Sequence, residues 1–284
     1  MQKLFNRILV PVDFSPKSAA AVEKAVNLAD SYHCSVYLLH VVSTFQITER
    51  VISGSHLVLP RLLSDNKSQV EVEMEKYRKY VNAICGQEIQ MKSAIRYGSW
   101  NEAVIDFVIE KNIDLVLIGQ VGRIFRKRKM LLNPDQIAEI TNIPVITAPA
   151  NRRLTKLFSI VIPITNFLPV RKLIYGIYMA SQYNSTLKLL GIENSKTRDI
   201  VQYYVSKARE LIVDNCDIKT DIEIVVSNNT AEAVNEYAMM NSSDLVIVNP
   251  GSETRMPGYF SYLLGNIMQK YATPPVLTIS PAQA

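Results

Sequence analysis

An internal duplication is the feature that most constrains the fold of this 284-residue chain. Three pairs of segments match each other: residues 29–39 with 180–190, 114–118 with 244–248, and 143–147 with 274–278. Because each copy of a repeat forms the same supersecondary unit, the chain is predicted to contain one domain twice. The expected domains are residues 1–150 and 151–284, joined directly by a short polar stretch near Asn151.

Short apolar runs alternate with helical patterns along the first copy. Strands are predicted at 7–12, 35–42, 89–97, 114–119 and 144–148, and helices at 16–32, 64–84, 100–111 and 134–141. This alternation is typical of a mostly parallel sheet. The predicted fold class is therefore α/β, with two tandem open parallel five-stranded sheets and helices on both faces. The pattern assigns no role to the long insertion at 43–65.

The fifth strand of each copy would leave an open sheet edge. Proteins usually cover such edges, since unpaired backbone groups there invite pairing with another chain. Antiparallel pairing of the two fifth strands, residues 144–149 and 275–280, would cover both edges about a pseudo-twofold axis. One chain is thus expected to form an intramolecular pseudo-dimer, and the sequence leaves a further homodimer open.

Charge and cysteine content narrow the function classes. The chain has 31 Lys+Arg and 26 Asp+Glu, a net charge of +5, and five of the cations lie in residues 123–129. One basic cluster without a recognised motif does not favour nucleic-acid binding. The three cysteines have no CxxC spacing, so neither a disulfide framework nor a metal site is predicted. No secretory signal or membrane-length apolar run is evident, and we expect a cytoplasmic protein without a membrane partner.

Ligands of open parallel sheets bind beyond the carboxyl ends of the strands. Asp13 follows the first predicted strand, and Gly119 and Gly122 follow the fourth. A carboxylate there can accept a hydrogen bond from an adenine amino group or a ribose hydroxyl, and glycines let backbone N–H groups approach phosphate. The same residues also fit simpler roles, because Asp13 or Ser15 could cap the following helix and the glycines could form an ordinary turn.

Four segments resemble the universal stress protein family, specifically its tandem two-domain members. They are RILVPVDFS at 7–15, SVYLLHVV at 35–42, DLVLIGQVG at 114–122 and NIPVITAP at 142–149. The resemblance implies a five-stranded parallel α/β fold that binds ATP or another adenine nucleotide. It implies a site formed by Val12, Asp13, Val41, Gly119, Gly122, Arg123 and Asn133.

The late phosphate motif departs from the family pattern. Nine residues after Gly122, the family has Gly and Ser or Thr, whereas this chain has Leu132 and Asn133 or, with one inserted residue, Asn133 and Pro134. Pro134 lacks an N–H donor, and Asp135 is expected to repel a phosphate. The basic run at 123–129 could hold phosphates by side chains instead, or could be a solvated loop.

The second copy departs further from a nucleotide site. Thr165 stands where the first copy has Asp13, and Asn249-Pro-Gly-Ser252 replaces the GxxG sequence. The second domain is therefore expected to be structural.

Two functions follow as hypotheses. The first is a cytoplasmic stress-response protein that binds an adenine nucleotide in its N-terminal domain and acts through conformation or unidentified protein partners. The alternative is an interaction or scaffold protein of the same fold that binds no nucleotide. No nucleophile with a base partner and no paired carboxylates can be assembled from the strand ends, so catalysis is expected to be at most slow ATP hydrolysis.

Overall fold

The computed structural model describes residues 3–42, 59–84, 89–119, 132–152, 154–255 and 274–281. In the first half the elements are β1 (Arg7–Pro11), α1 (Pro16–Tyr32), β2 (Ser35–Val42), α2 (Leu59–Ile84), β3 (Met91–Tyr97), α3 (Trp100–Lys111), β4 (Leu115–Gly119), α4 (Pro134–Thr141) and β5 (Val145–Ala148). In the second half they are β6 (Ser159–Ile164), α5 (Val170–Tyr183), β7 (Thr186–Glu193), α6 (Arg198–Asn215), β8 (Thr220–Val226), α7 (Thr230–Met240), β9 (Leu245–Val248) and β10 (Val276–Thr278). The alternation of strands and helices confirms the predicted α/β class.

The chain separates into two compact units, and the first contains Phe5–Gly119. Its strands lie in the order β3-β2-β1-β4. Each of these pairs is parallel, with Leu9 opposite Tyr37 on one side and opposite Val116 on the other. Leu9 and Val116 are fully buried, as expected for a parallel sheet covered by its crossover helices.

The second unit contains Pro134–Ala284 and therefore includes β5. Its strand order is β5-β10-β9-β6-β7-β8. All of its pairs are parallel except β5 with β10, which is antiparallel and places Leu277 opposite Ile146. This pairing confirms the prediction that the two fifth strands associate antiparallel.

Local capping explains why the helix bounds could be read from the sequence. Ser15 is the N-cap of α1, its Oγ accepting the Ser18 N–H at 3.3 Å, and Pro16 occupies the first turn. The predicted bounds of α1, α3 and α4 are confirmed. Helix α2 begins at Leu59, five residues before the predicted start at Ser64. Pro60 permits this earlier start, because a proline is tolerated in the first turn of a helix.

Candidate functional site

Three of the predicted site residues lie at the carboxyl ends of β1 and β2 in the first sheet. Val12 and Asp13 come directly after β1, and Val41 lies at the end of β2. The Val12 N–H donates to the Leu39 carbonyl at 2.8 Å, so the backbone of Leu39 faces β1. Successive residues of a strand face opposite neighbours, and the peptide of Val41 therefore also faces the β1 side, just beyond the point where β1 ends.

The Asp13 carboxylate is half-buried and helps to shape the turn between β1 and α1. Its Oδ1 accepts the Ser15 N–H at 3.0 Å. Ser15, not Asp13, caps the helix, which resolves one of the alternatives left open by the sequence. Phe14 between them has a left-handed backbone with φ of 58°, so the chain reverses sharply there.

An aromatic cluster lies beside this turn. His40 Nδ1 is 2.7 Å from the Val12 carbonyl oxygen, and a carbonyl can only accept, so Nδ1 carries the proton. The Phe14 ring stacks on the imidazole at 4.7 Å between centroids, and the Trp100 ring meets it edge-on at 5.6 Å. Burial lowers the pKa of His40, opposed by the Val12 carbonyl and by the Asp13 carboxylate. A neutral His40 therefore fixes the Val12 peptide, a role that the sequence did not indicate.

Gly119 ends β4 against the first turn of α1. A Cβ placed on Gly119 would lie 2.5 Å from the Lys17 carbonyl oxygen, closer than atoms can approach without movement. The glycine is thus required for the close packing of helix on strand, whatever its role toward a ligand.

We expect Gly119→Ala to lower the free energy of unfolding by about 1–3 kcal/mol, because the added methyl group meets rigid backbone. Gly176→Ala is a matched control, since its Cβ would lie 2.6 Å from the flexible end of the Ile162 side chain. It also gains about 1 kcal/mol of helix propensity and should cost less. Urea denaturation of both variants measures the difference, and equal losses would contradict this account.

The remaining predicted site residues are placed in part. Gly122, Arg123 and the rest of the basic run at 123–129 lie outside the described residues. Asn133 is exposed and its N–H donates to the Asn101 Oδ1 at 3.0 Å. The structure therefore describes Val12, Asp13, Val41, Gly119 and Asn133, and a ligand-binding role for any of them stays a prediction.

Asp135 does not carry the unshielded charge that the sequence suggested. It is fully buried in the second unit, where its Oδ2 accepts from Thr254 Oγ1 at 2.8 Å and from Arg255 Nε at 3.0 Å. An ion pair with Arg255 neutralises the carboxylate. The expectation that Asp135 repels a phosphate is therefore weakened by partners far away in sequence.

Comparison with known proteins decides the family. The model of the universal stress protein family matches residues 4–149, which is half of the chain. The chain belongs to the universal stress protein family. Universal stress protein YxiE of Bacillus subtilis is 23% identical over 145 residues, which are 50% of this chain and 98% of that protein.

Solved structures show that the universal stress protein fold extends over both halves. The structure of a universal stress protein from Archaeoglobus fulgidus aligns with 99% of this chain over 99% of its own length, with 13% identity and a TM-score of 0.70. A further structure, of a universal stress protein in complex with cAMP, covers 51% of this chain with 15% identity and a TM-score of 0.36. The match to the Archaeoglobus fulgidus structure spans this chain at the length expected for two tandem domains.

Membrane-spanning helices and metal-binding clusters are both absent from the described residues. None of their helices is both long and apolar enough to cross a bilayer. Within the same residues, no group of three or more His, Cys, Asp and Glu side chains is placed to hold a metal ion.

Proposed function

We propose that the first domain, residues 1–150, binds an adenine nucleotide, with ATP as the first candidate, and that the chain acts in a stress response through conformation or protein partners. The second domain, residues 151–284, is then structural. The observation that carries the proposal is that Asp13 follows β1 directly, and that the Val41 peptide on the neighbouring strand faces the β1 side beyond the end of β1. A carboxylate and a peptide group at the carboxyl ends of two neighbouring strands offer acceptors and a donor that match the polar atoms of an adenine.

Two further observations support nucleotide binding at the carboxyl ends of β1 and β2. Family membership adds weight, since the half of the chain that matches the family model contains the whole site. The aromatic cluster around His40 holds the Val12 peptide and the β1 turn in place, so a ligand would meet a preformed surface. A preformed site reduces the entropy that binding must overcome.

The alternative function is an interaction protein that binds no nucleotide. Its support is the missing Gly and Ser/Thr pair, because Leu132, Asn133 and Pro134 supply fewer backbone donors toward a phosphate. ATP binding separates the two functions directly.

We expect ATP to bind the wild-type chain and Asp13→Ala to weaken that binding at least tenfold, about the value of one hydrogen bond to a charged group. Isothermal titration calorimetry measures both affinities. Ser15→Ala controls for damage to the α1 N-cap, and Thr165→Ala controls for the equivalent position of the second copy. Both controls should bind ATP as the wild type does.

Absence of ATP binding by the wild type would end the proposal. An equal loss in Ser15→Ala would show that the helix start, and not the Asp13 carboxylate, is what matters. Mass spectrometry of small molecules released by denaturing the purified protein would identify the nucleotide that is bound.

A further inference from the structure

A buried ion pair lies at the carboxyl ends of β6 and β9 in the second unit. Lys172, in the first turn of α5, donates from Nζ to both carboxylate oxygens of Glu253 at 2.8 Å and to the Pro163 carbonyl oxygen at 2.6 Å. The two side chains are 1% and 3% exposed. Three acceptors match the three N–H donors of the ammonium group, so the cation is fully partnered within the protein.

The Glu253 carboxylate also accepts a hydrogen bond from the first N–H group of the loop after β9. The Asn249 N–H donates to its Oε2 at 2.7 Å. Backbone N–H groups at this point of a parallel sheet are the donors that commonly hold a ligand phosphate. Here one such donor, the Asn249 N–H, binds a carboxylate that belongs to the chain itself.

The internal repeat shows that this arrangement is specific to the second copy. At the offset of 130 that aligns Asp114 with Asp244, the counterpart of Glu253 is Arg123. At the offset of 151 that aligns α1 with α5, the counterpart of Lys172 is Ala21, a buried apolar residue. The loop charge is thus reversed between the copies, and the first copy lacks the lysine that would neutralise a glutamate.

We propose that the Glu253 carboxylate replaces a bound anion in the second unit. A phosphate entering there would have to displace a carboxylate that has a buried counter-ion and a backbone donor, and would meet its negative charge. Removing that carboxylate should uncover an anion site formed by Lys172 and the Asn249 N–H. If the first domain binds a nucleotide as proposed above, the chain then takes one nucleotide and not two.

The test uses Glu253→Ala, which removes the carboxylate and leaves the space beside Lys172 and the Asn249 N–H open to an anion. Thermal unfolding of the full chain is followed as inorganic phosphate replaces chloride at constant ionic strength. With phosphate in roughly tenfold excess over its Kd, the midpoint should rise by on the order of 3 °C more than in the wild type. Lys172→Met/Glu253→Ala is the matched control, because it opens the same space but lacks the cation and should respond as the wild type does.

Equal responses of the three proteins to phosphate would overturn the proposal. Should Glu253→Ala fail to fold without phosphate, its refolding yield against phosphate concentration becomes the measurement. Recovery in phosphate supports the replacement, and no recovery overturns it. Both results are independent of ATP binding by the wild type, so failure of the proposed nucleotide site would be recognised separately.

Discussion

Lys172→Met is expected to lower the free energy of unfolding by about 3–5 kcal/mol, the usual cost of leaving a buried charge without its partner. The substitution leaves the Glu253 carboxylate in a site from which solvent is excluded, with the Asn249 N–H as its remaining partner among those described above. In the wild type, burial lowers the pKa of Lys172 and the Glu253 carboxylate opposes that shift. Urea denaturation followed by circular dichroism measures the loss.

Two comparisons isolate the buried pair as the cause. Lys172→Met/Glu253→Gln removes both charges and should recover most of the lost stability, because neutral replacements of a buried ion pair are often tolerated. Lys207→Met breaks an exposed pair with Glu210 and should cost far less than Lys172→Met, because solvent screens the exposed pair. A double variant as unstable as the single one would show that packing of the lysine stem, and not charge, is what stabilises this region.

The fold of this chain could be predicted well because its signals are local and occur twice. Helix α1 has Ser15, Pro16 and a left-handed C-cap at His33, and it begins and ends where the helical pattern predicts. The match of residues 143–147 with 274–278 led to the antiparallel pairing of β5 and β10, which the structure confirms. Patterns formed by neighbouring residues, or repeated along the chain, can be recognised in a single sequence.

The candidate site and the buried ion pair could be predicted only in part, because the residues that contact each other there are far apart in the chain. Asp13 was found by its place after a strand. Lys172 and Glu253 are 81 residues apart, and no local spacing indicates that they form an ion pair. Gly119 was assigned to phosphate, whereas the structure shows that its missing side chain also makes room for the Lys17 carbonyl. A residue type that suits two purposes cannot be assigned to one of them by sequence.

The repeated aspartates Asp114 and Asp244 show a structural role that the alignment of the two copies did not reveal. Asp114 accepts the Asn6 N–H at 2.9 Å and the Arg7 N–H at 3.0 Å, at the start of β1. Asp244 accepts the Ser159 N–H at 3.0 Å and the preceding N–H at 2.8 Å, at the start of β6. Each carboxylate thus fixes the entry of the first strand of its copy to the strand that follows the aspartate.

We expect Asp114→Ala and Asp244→Ala each to lower the free energy of unfolding by about 2–3 kcal/mol, since each leaves backbone donors without a charged acceptor. Asp114→Asn should lose less, because one amide oxygen still accepts. Asp106→Ala, on the exposed face of α3, is the control and should stay within about 0.5 kcal/mol of the wild type. Losses from Asp114→Ala and Asp244→Ala no larger than in that control would mean that water replaces the carboxylates at the strand starts, and that the duplicated aspartate does not stabilise the two copies.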